Sequence, residues 1–366
     1  MAEEPSPGSW LDRLVEGAIG LLGSFGVNTT RMRWRWNQYR TRMAQGRLDA
    51  ANRARGLTGK HRMCPSCRAL VPVGQRTCSE CGESLAGVSG PGPGRLLSWL
   101  LPGVPPASAA ILTANFAIFL LIGLRAGFEP MESGGGLFSM LFHLLSFSSD
   151  TLVRYGAGNN YLLIVGAGLG TFLEQEWWRL VCPVFLHGGL LHLLFNTFVF
   201  VQIGPLLEKE YGKEKFFVLY LWCGVVSFLA SILLRFWLFG PTARGYVNTI
   251  GASGAIFGLV GAALIYGGRR GGLFGRNLKA TMVQWTIYLL IWTFLFPGID
   301  IWAHLGGLAA GLGFAAAVTA GPPRNRSTLA VWRILATLGV LLVIGAFVLA
   351  GLYGNDSLET LRSLGG

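Results

Sequence analysis

The stretch GASGAIFGL, residues 251–259, lies inside a run from 246 to 268 that contains no Asp, Glu, Lys or Arg. Its only hydroxyl belongs to Ser253, with Gly251 two residues before it and Gly254 immediately after. Crossing a bilayer as a helix takes roughly 20 apolar residues, so a run of this length suits lipid. A hydroxyl set between glycines there is either packing filler between helices or a nucleophile working inside a membrane.

Outward from this stretch the pattern repeats. Charge-free runs also cover 107–124, 180–207, 216–234, 280–299, 301–323 and 334–354. The whole chain of 366 residues is 52% hydrophobic and 13% charged, against about 25% charged in an ordinary soluble domain. Lipid admits only helices and closed barrels. Seven such runs therefore predict an all-α polytopic membrane protein, and a soluble fold would lack the polar sequence to cover its core. YLLIVGAGLGTFL (161–173) is too short at 13 residues to span. It reads, with LFSMLFHLLSF (137–147), as part of a long external loop on the membrane surface.

Charge sets the expected orientation. The net charge is +12, and residues 30–62 hold ten basic residues against one acid, Asp49. Such a run beside a membrane marks a cytoplasmic face near anionic lipid. Trp34 and Trp36 within it suit a membrane interface, so no nucleic-acid partner is expected. Lys209, Lys213 and Lys215, then Arg269, Arg270, Arg276 and Lys279, then Arg324, Arg326 and Arg333 fall in alternate loops. The loops between them are poorer in Lys and Arg. The positive-inside rule places the N-terminus in the cytoplasm and the C-terminus outside, in the plasma (inner) membrane. Glu3, Glu4 and Pro5 argue against a cleavable signal peptide.

Strongly polar groups inside spans are costly and mark function. They fall in three places: HGGLLHLLFN gives His187, His192 and Asn196, the fourth run gives Ser253, and AHLGGLAAG gives His304. Three of the chain's five histidines are in this set. The second, fourth and sixth spans run in the same direction, and these residues come early in each, so they share a level near the external side. A lone membrane serine is ordinarily packing; the joint occurrence points to a site. A serine hydroxyl attacks only when a neighbouring base takes its proton, and His304 is the base available. His304, Gly307 and Gly311 recur on one helix face, and Gly254 with Gly258 forms a small-xxx-small pair, so the two helices can close on each other. His192 and Asn196, four apart, can donate to a developing oxyanion, as can the backbone N–H of Ser253. His187 is turned away from that face and is expected to bond structurally to the external loop. Asp300 is expected to cap the sixth helix rather than to complete a triad.

These residues resemble the rhomboid family of intramembrane serine proteases. GASGAIFGL is similar to the family's GxSG nucleophile motif, HGGLLHLLFN to its second-helix motif, AHLGGLAAG to its base motif, and EWWRLVCPVF (176–185) to its Trp-Arg loop element. The resemblance covers roughly 107–320. It implies a six-helix core with a seventh helix added at the C-terminus. It implies Ser253 as nucleophile, His304 as general base, and His192, Asn196 and the Ser253 amide as the oxyanion pocket. Trp178 and Arg179 are implied to be structural in the loop. Substrates would be transmembrane helices of other proteins, cut within the lipid bilayer without a catalytic metal. Phe257 stands where many members have tyrosine; one turn beyond Ser253, its ring can still stack on His304. Pro183 stands where some members have histidine. Residue 252 is Ala, not the proline found before the serine in inactive relatives. The alternative function is a non-catalytic membrane chaperone or adaptor that binds transmembrane helices.

The front of the chain carries a separate signal. In CPSCRALVPVGQRTCSEC (64–81) the pairs Cys64/Cys67 and Cys78/Cys81 are separated by ten residues. Two such knuckles suit tetrahedral zinc, and a cytoplasmic location disfavours disulfides. Four cysteines close the site, so the expected Zn2+ is structural, in a zinc ribbon over 63–85 that would offer a docking surface to a cytosolic partner. Residues 1–62 read as a basic, partly amphipathic region, with a surface helix over 10–22. Residues 86–106 are a Gly/Pro-rich linker. Residues 107–320 form the protease-like core, and 321–366 a further span with a short external tail.

Overall fold

The structure is a computed structural model that describes residues 10–24, 29, 33–34, 36–41, 61–64, 70–72, 78, 104–129, 145–164, 175–239, 248–295, 299–321, 323 and 325–365. It falls into two compact units, one formed by residues 1–63 and 70–75 and the other by residues 64–69 and 76–366. In the first, α1 (Trp10–Ser24) occupies the expected amphipathic stretch, with Ile19 buried. Two short strands, β1 (His61–Met63) and β2 (Leu70–Pro72), pair antiparallel with Arg62 opposite Val71.

The second unit holds the remaining elements in chain order. After α2 (Pro106–Ala126) come α3 (Ser149–Arg154), β3 (Gly158–Asn159) and α4 (Asn160–Ile164). Two 3₁₀ turns follow, Trp177–Leu180 and Cys182–Val184, and then α5 (Leu190–Tyr211) and α6 (Lys213–Phe239). The strand β4 (Asn248–Thr249) precedes α7 (Ser253–Arg270), α8 (Gly272–Leu295), α9 (Ile301–Ala317) and α10 (Arg326–Gly365). The chain is thus a helical polytopic membrane protein. Five of these helices, α2, α5, α6, α8 and α10, are long and apolar enough to cross a membrane. The two shorter ones are α7 with 18 residues and α9 with 17. Every residue of α7 from Gly254 to Ala263 is buried, and α5, α6, α8 and α9 all pack against it. A helix sheathed in other helices need not match the full hydrocarbon thickness.

Two spans start later than the charge pattern suggests. The chain from 177 to 186 is not α-helical, and it is buried from 181 onward: the 3₁₀ turns run to Val184, and the extended Gly189 then opens α5. Asn248 and Thr249 pair with Asn159 and Gly158, so the fourth span starts at Ser253 rather than near 246. Of the expected surface loop, 137–144 and 165–174 lie outside the described residues.

At the far ends of α5, α7 and α9, side chains satisfy groups the helices leave open. The Glu208 carboxylate accepts from the N–H of Ala107 (2.9 Å) and of Ser108 (2.6 Å), at the N-terminus of α2, where Pro105 offers no capping side chain. Lys215 donates to the carbonyls of Thr319 and Gly321, and Arg269 to those of Ala315 and Ala316, all at the C-terminus of α9. Cations are favoured at that negative end of the helix dipole.

The last helix departs most from the expected organisation. α10 has 40 residues and is therefore about 60 Å long at 1.5 Å per residue, twice the roughly 30 Å of a bilayer core. Residues after 354 are helix, not a tail. Their polar side chains are used on protein: Ser357, fully buried, donates to the Glu176 carboxylate at 2.8 Å, and Arg362 pairs with Asp150 at 2.6 Å.

Candidate active site

The three site-bearing helices begin at one end of the bundle. His192 is the third residue of α5, Ser253 the first of α7 and His304 the fourth of α9. Gly251, at φ +122°, takes a backbone conformation that L side chains rarely adopt, and its N–H donates to the Pro183 carbonyl at 2.9 Å. That turn sets Ser253 at the head of α7.

Glycine lets α7 and α9 meet backbone to backbone. A Cβ on Gly307 would fall onto the carbonyl oxygen of Gly254, and one on Gly311 onto that of Gly258. A Cβ on Gly254 would collide with the Ser227 side chain of α6. At the end of this seam His304 Nε2 lies 2.9 Å from Ser253 Oγ. The Phe257 ring stacks on the imidazole, with centroids 4.3 Å apart and an interplanar angle of 18°.

His192 stands on the other side of the serine. Its Nε2 is so close to Gly251 that a Cβ there would lie 2.8 Å away, with Ser253 Oγ 3.6 Å from the same point. The Gly188 N–H points at His192 Nδ1, 3.4 Å away. A ring nitrogen that accepts leaves the proton on the other one, so Nε2–H is the free donor, and it faces the serine's turn. Asn196, one turn further and buried, gives one amide proton to the His192 carbonyl at 3.0 Å and keeps its second. His187 is buried, and its ring stands edge-on to His192 with centroids 5.2 Å apart; much of the loop expected to bond it lies outside the described residues.

Trp178 and Arg179 lie away from the serine and are fully buried. Arg179 Nε meets the Glu176 carboxylate at 2.5 Å, and its Nη1 donates to the carbonyls of Val153 (2.8 Å) and Ala157 (2.9 Å). Burial pushes Glu176 above its ordinary pKa and Arg179 below its own, while their attraction opposes both shifts. Trp178 stacks on Tyr353 of α10, with centroids 5.9 Å apart. Asp300 accepts from the N–H groups of Trp302 (3.0 Å) and Ala303 (3.2 Å), the N-cap arrangement. It also accepts from Ser231 and Thr249 and pairs with Arg235. Of the four ribbon cysteines, Cys64 and Cys78 are buried, and Cys67 and Cys81 lie outside the described residues.

A family profile for the Rhomboid domain matches residues 174–321, from just before the Trp-Arg turn to the end of α9. The rhomboid protease GluP of Bacillus subtilis is 33% identical over 226 residues, 60% of this chain and 40% of its own length. A second B. subtilis relative, YdcA, is 32% identical over 174 residues, 48% of this chain and 77% of its own. Rhomboid-like protease 2 of Toxoplasma gondii is 30% identical over 228 residues, 61% of this chain and 69% of its own. The chain belongs to the rhomboid family. Of this rhomboid's long apolar helices, α2 and α10 lie outside the matched stretch, and the chain spans 40% of the length of GluP.

Sequence reasoning missed Thr293, whose hydroxyl lies 2.8 Å from His304 Nδ1, and the pairing of Glu176 with Ser357. A threonine in an apolar helix carries no signal of its own. Glu176 and Ser357 are 181 residues apart, and the pattern of neither segment points to the other.

Proposed function

We propose that this rhomboid is an intramembrane serine endopeptidase that cleaves transmembrane helices of other proteins, with Ser253 as nucleophile and His304 as general base. The 2.9 Å approach of His304 Nε2 to Ser253 Oγ carries the reading. As Oγ adds to the scissile carbonyl carbon, its proton passes to Nε2. The carbonyl oxygen becomes an oxyanion facing the Nε2–H of His192, with the Asn196 amide and the Ser253 N–H as further donors; the first N–H groups of a helix have no partner within it. The imidazolium then protonates the leaving amine and the C–N bond breaks, leaving an acyl-serine. Water, deprotonated by the same nitrogen, adds to the ester and releases the acid.

The site end of the bundle is assigned to the external side. Lys209, Lys215 and Arg269 lie at the opposite end, as a cytoplasmic face in the plasma membrane requires. α10 runs the other way, which brings its C-terminus to the site end beside Glu176 and Asp150.

A fluorophosphonate probe should label the purified chain and leave Ser253→Ala unlabelled. Equal labelling of both removes Ser253 as nucleophile. No labelling of either favours a helix-binding adaptor, which has no use for an activated serine. At the front of the chain, we assign structural zinc to Cys64, Cys67, Cys78 and Cys81. Two of these are buried, which suits thiolates sealed around a metal. Metal analysis should find about one zinc per chain, as four thiolates fill one tetrahedral site, and none after all four cysteines are changed to serine; zinc retained in that variant rules the assignment out.

A further inference from the structure

Among the described residues the imidazole of His304 makes two hydrogen bonds, and the second is unexplained by a serine–histidine pair alone. Its Nδ1 lies 2.8 Å from the Thr293 hydroxyl of α8. Thr293 is buried, and its hydroxyl also lies 2.9 Å from the Leu289 carbonyl one turn back in its own helix. A carbonyl oxygen only accepts, so the hydroxyl's single proton goes to Leu289. The oxygen then faces Nδ1 with a lone pair, and the ring must donate from Nδ1. A neutral imidazole carries one N–H, so Nε2 is left bare toward Ser253.

We infer that Thr293 is a positioning residue that fixes the His304 tautomer for proton abstraction, through a one-way chain from Ser253 O–H to His304 Nε2, from Nδ1–H to Thr293 Oγ1, and from Thr293 O–H to the Leu289 carbonyl. The chain has one direction because it ends on an atom with no proton to give. It also orients the ring: Phe257 holds one face, Ser253 and Thr293 hold the two nitrogens, and rotation about the Cβ–ring bond would break both hydrogen bonds. Thr286, two turns earlier in α8, makes the same backbone bond at 2.8 Å to Met282 and, among the described residues, no other side-chain hydrogen bond. Backbone capping by membrane threonines is therefore ordinary in this helix, and the ring contact is what sets Thr293 apart. When Nε2 takes the serine proton, the Nδ1–H bond to an oxygen already polarised by its own donation strengthens.

The inference rests on Ser253 being the nucleophile, and the test separates the two. The full chain in detergent is labelled with a fluorophosphonate at several concentrations, so that the maximal rate and the half-saturating concentration are read independently. Thr293→Val keeps shape and loses the acceptor. Leaving one buried N–H without a partner should slow the maximal rate roughly 5- to 150-fold, with the half-saturating concentration unchanged. Thr293→Ser, which keeps the hydroxyl, should recover the rate to within a few-fold. Unfolding midpoints measured alongside identify the folded variants, and if Thr293→Val is unstable the serine variant against Thr293→Ala decides. A wild-type maximal rate in folded Thr293→Val, or a serine variant as slow as the valine one, overturns the role of Thr293. A wild-type chain that takes no label overturns the nucleophile itself.

Discussion

Asp300 is the residue at which a capping role and a catalytic role make opposite predictions. It lies one turn before His304, yet both of its oxygens are spent on helix N–H groups, Ser231, Thr249 and Arg235. Burial works to raise its pKa, but the Ser231 bond, the Arg235 charge and the other donors outweigh it and hold the carboxyl below its ordinary value. A carboxyl depressed in the folded state contributes stability at all pH above its unfolded value. That contribution is lost only as pH falls below about 4 and through the folded pKa. Asp300→Ala should therefore lower the unfolding midpoint at neutral pH, by an N-cap's worth of about 1 kcal/mol or more. Asp300→Asn keeps an acceptor for the cap and should keep labelling of Ser253 within about tenfold of wild type, whereas removing a true triad carboxylate loses about 10⁴-fold. A thousandfold loss in a folded Asp300→Asn chain would restore the triad. Phe257 poses a simpler question, since its stacking on His304 needs a ring and not a hydroxyl. Phe257→Tyr should label normally, and Phe257→Leu should slow roughly 2- to 10-fold, the scale of one aromatic pair.

At the scale of elements, the site exists because α7 and α9 touch along their backbones. The distance between Ser253 and His304 is inherited from Gly254, Gly258, Gly307 and Gly311, each of which leaves no room for a methyl group. Gly307→Ala should push the helices apart and abolish labelling. Gly313→Ala on the same helix, where a Cβ meets nothing within 4 Å, should label as wild type. Labelling by Gly307→Ala at the wild-type rate would mean that the seam does not set the dyad. This much of the architecture was legible in the sequence for a physical reason: glycine, serine and histidine are conspicuous in an apolar run, and their spacing reports a helix face. The starts of α5 and α7 were less legible. Hydropathy does not distinguish a buried 3₁₀ turn or a two-residue strand from the helix that follows, so 180–189 and 246–252 read as span. Thr293 was invisible because its hydroxyl resembles that of every threonine that caps its own helix, and only the fold brings it to the ring.

At the scale of the whole molecule, α10 follows the matched domain, and its end is tied to the site through protein. The last turns of α10 hold the loop that carries Trp178 and Arg179: Tyr353 stacks on Trp178, Ser357 donates to Glu176, and a Cβ on Gly354 would fall onto the carbonyl of Arg154. That loop in turn supports the turn that carries Ser253. The Pro183 carbonyl takes the Gly251 N–H, and β3 pairs with β4 just before the Gly251 turn. Removing residues 355–366 would strip Glu176 of its Ser357 donor while leaving it buried with Arg179, and loss of a hydrogen bond to a charged group costs about 1.5–3 kcal/mol. The truncated chain should unfold at lower temperature and label Ser253 more slowly. Ser357→Ala should show part of each effect, and Arg362→Ala, whose pair with Asp150 is exposed, should show little of either, since exposed ion pairs contribute about 0–1 kcal/mol. Truncation that lowers the midpoint but leaves the labelling rate at the wild-type value would mean that α10 stabilises the loop without transmitting anything to the serine. A drop in rate that scales with the loss of loop contacts from Ser357→Ala to truncation would make the seventh helix part of what holds Ser253 in place.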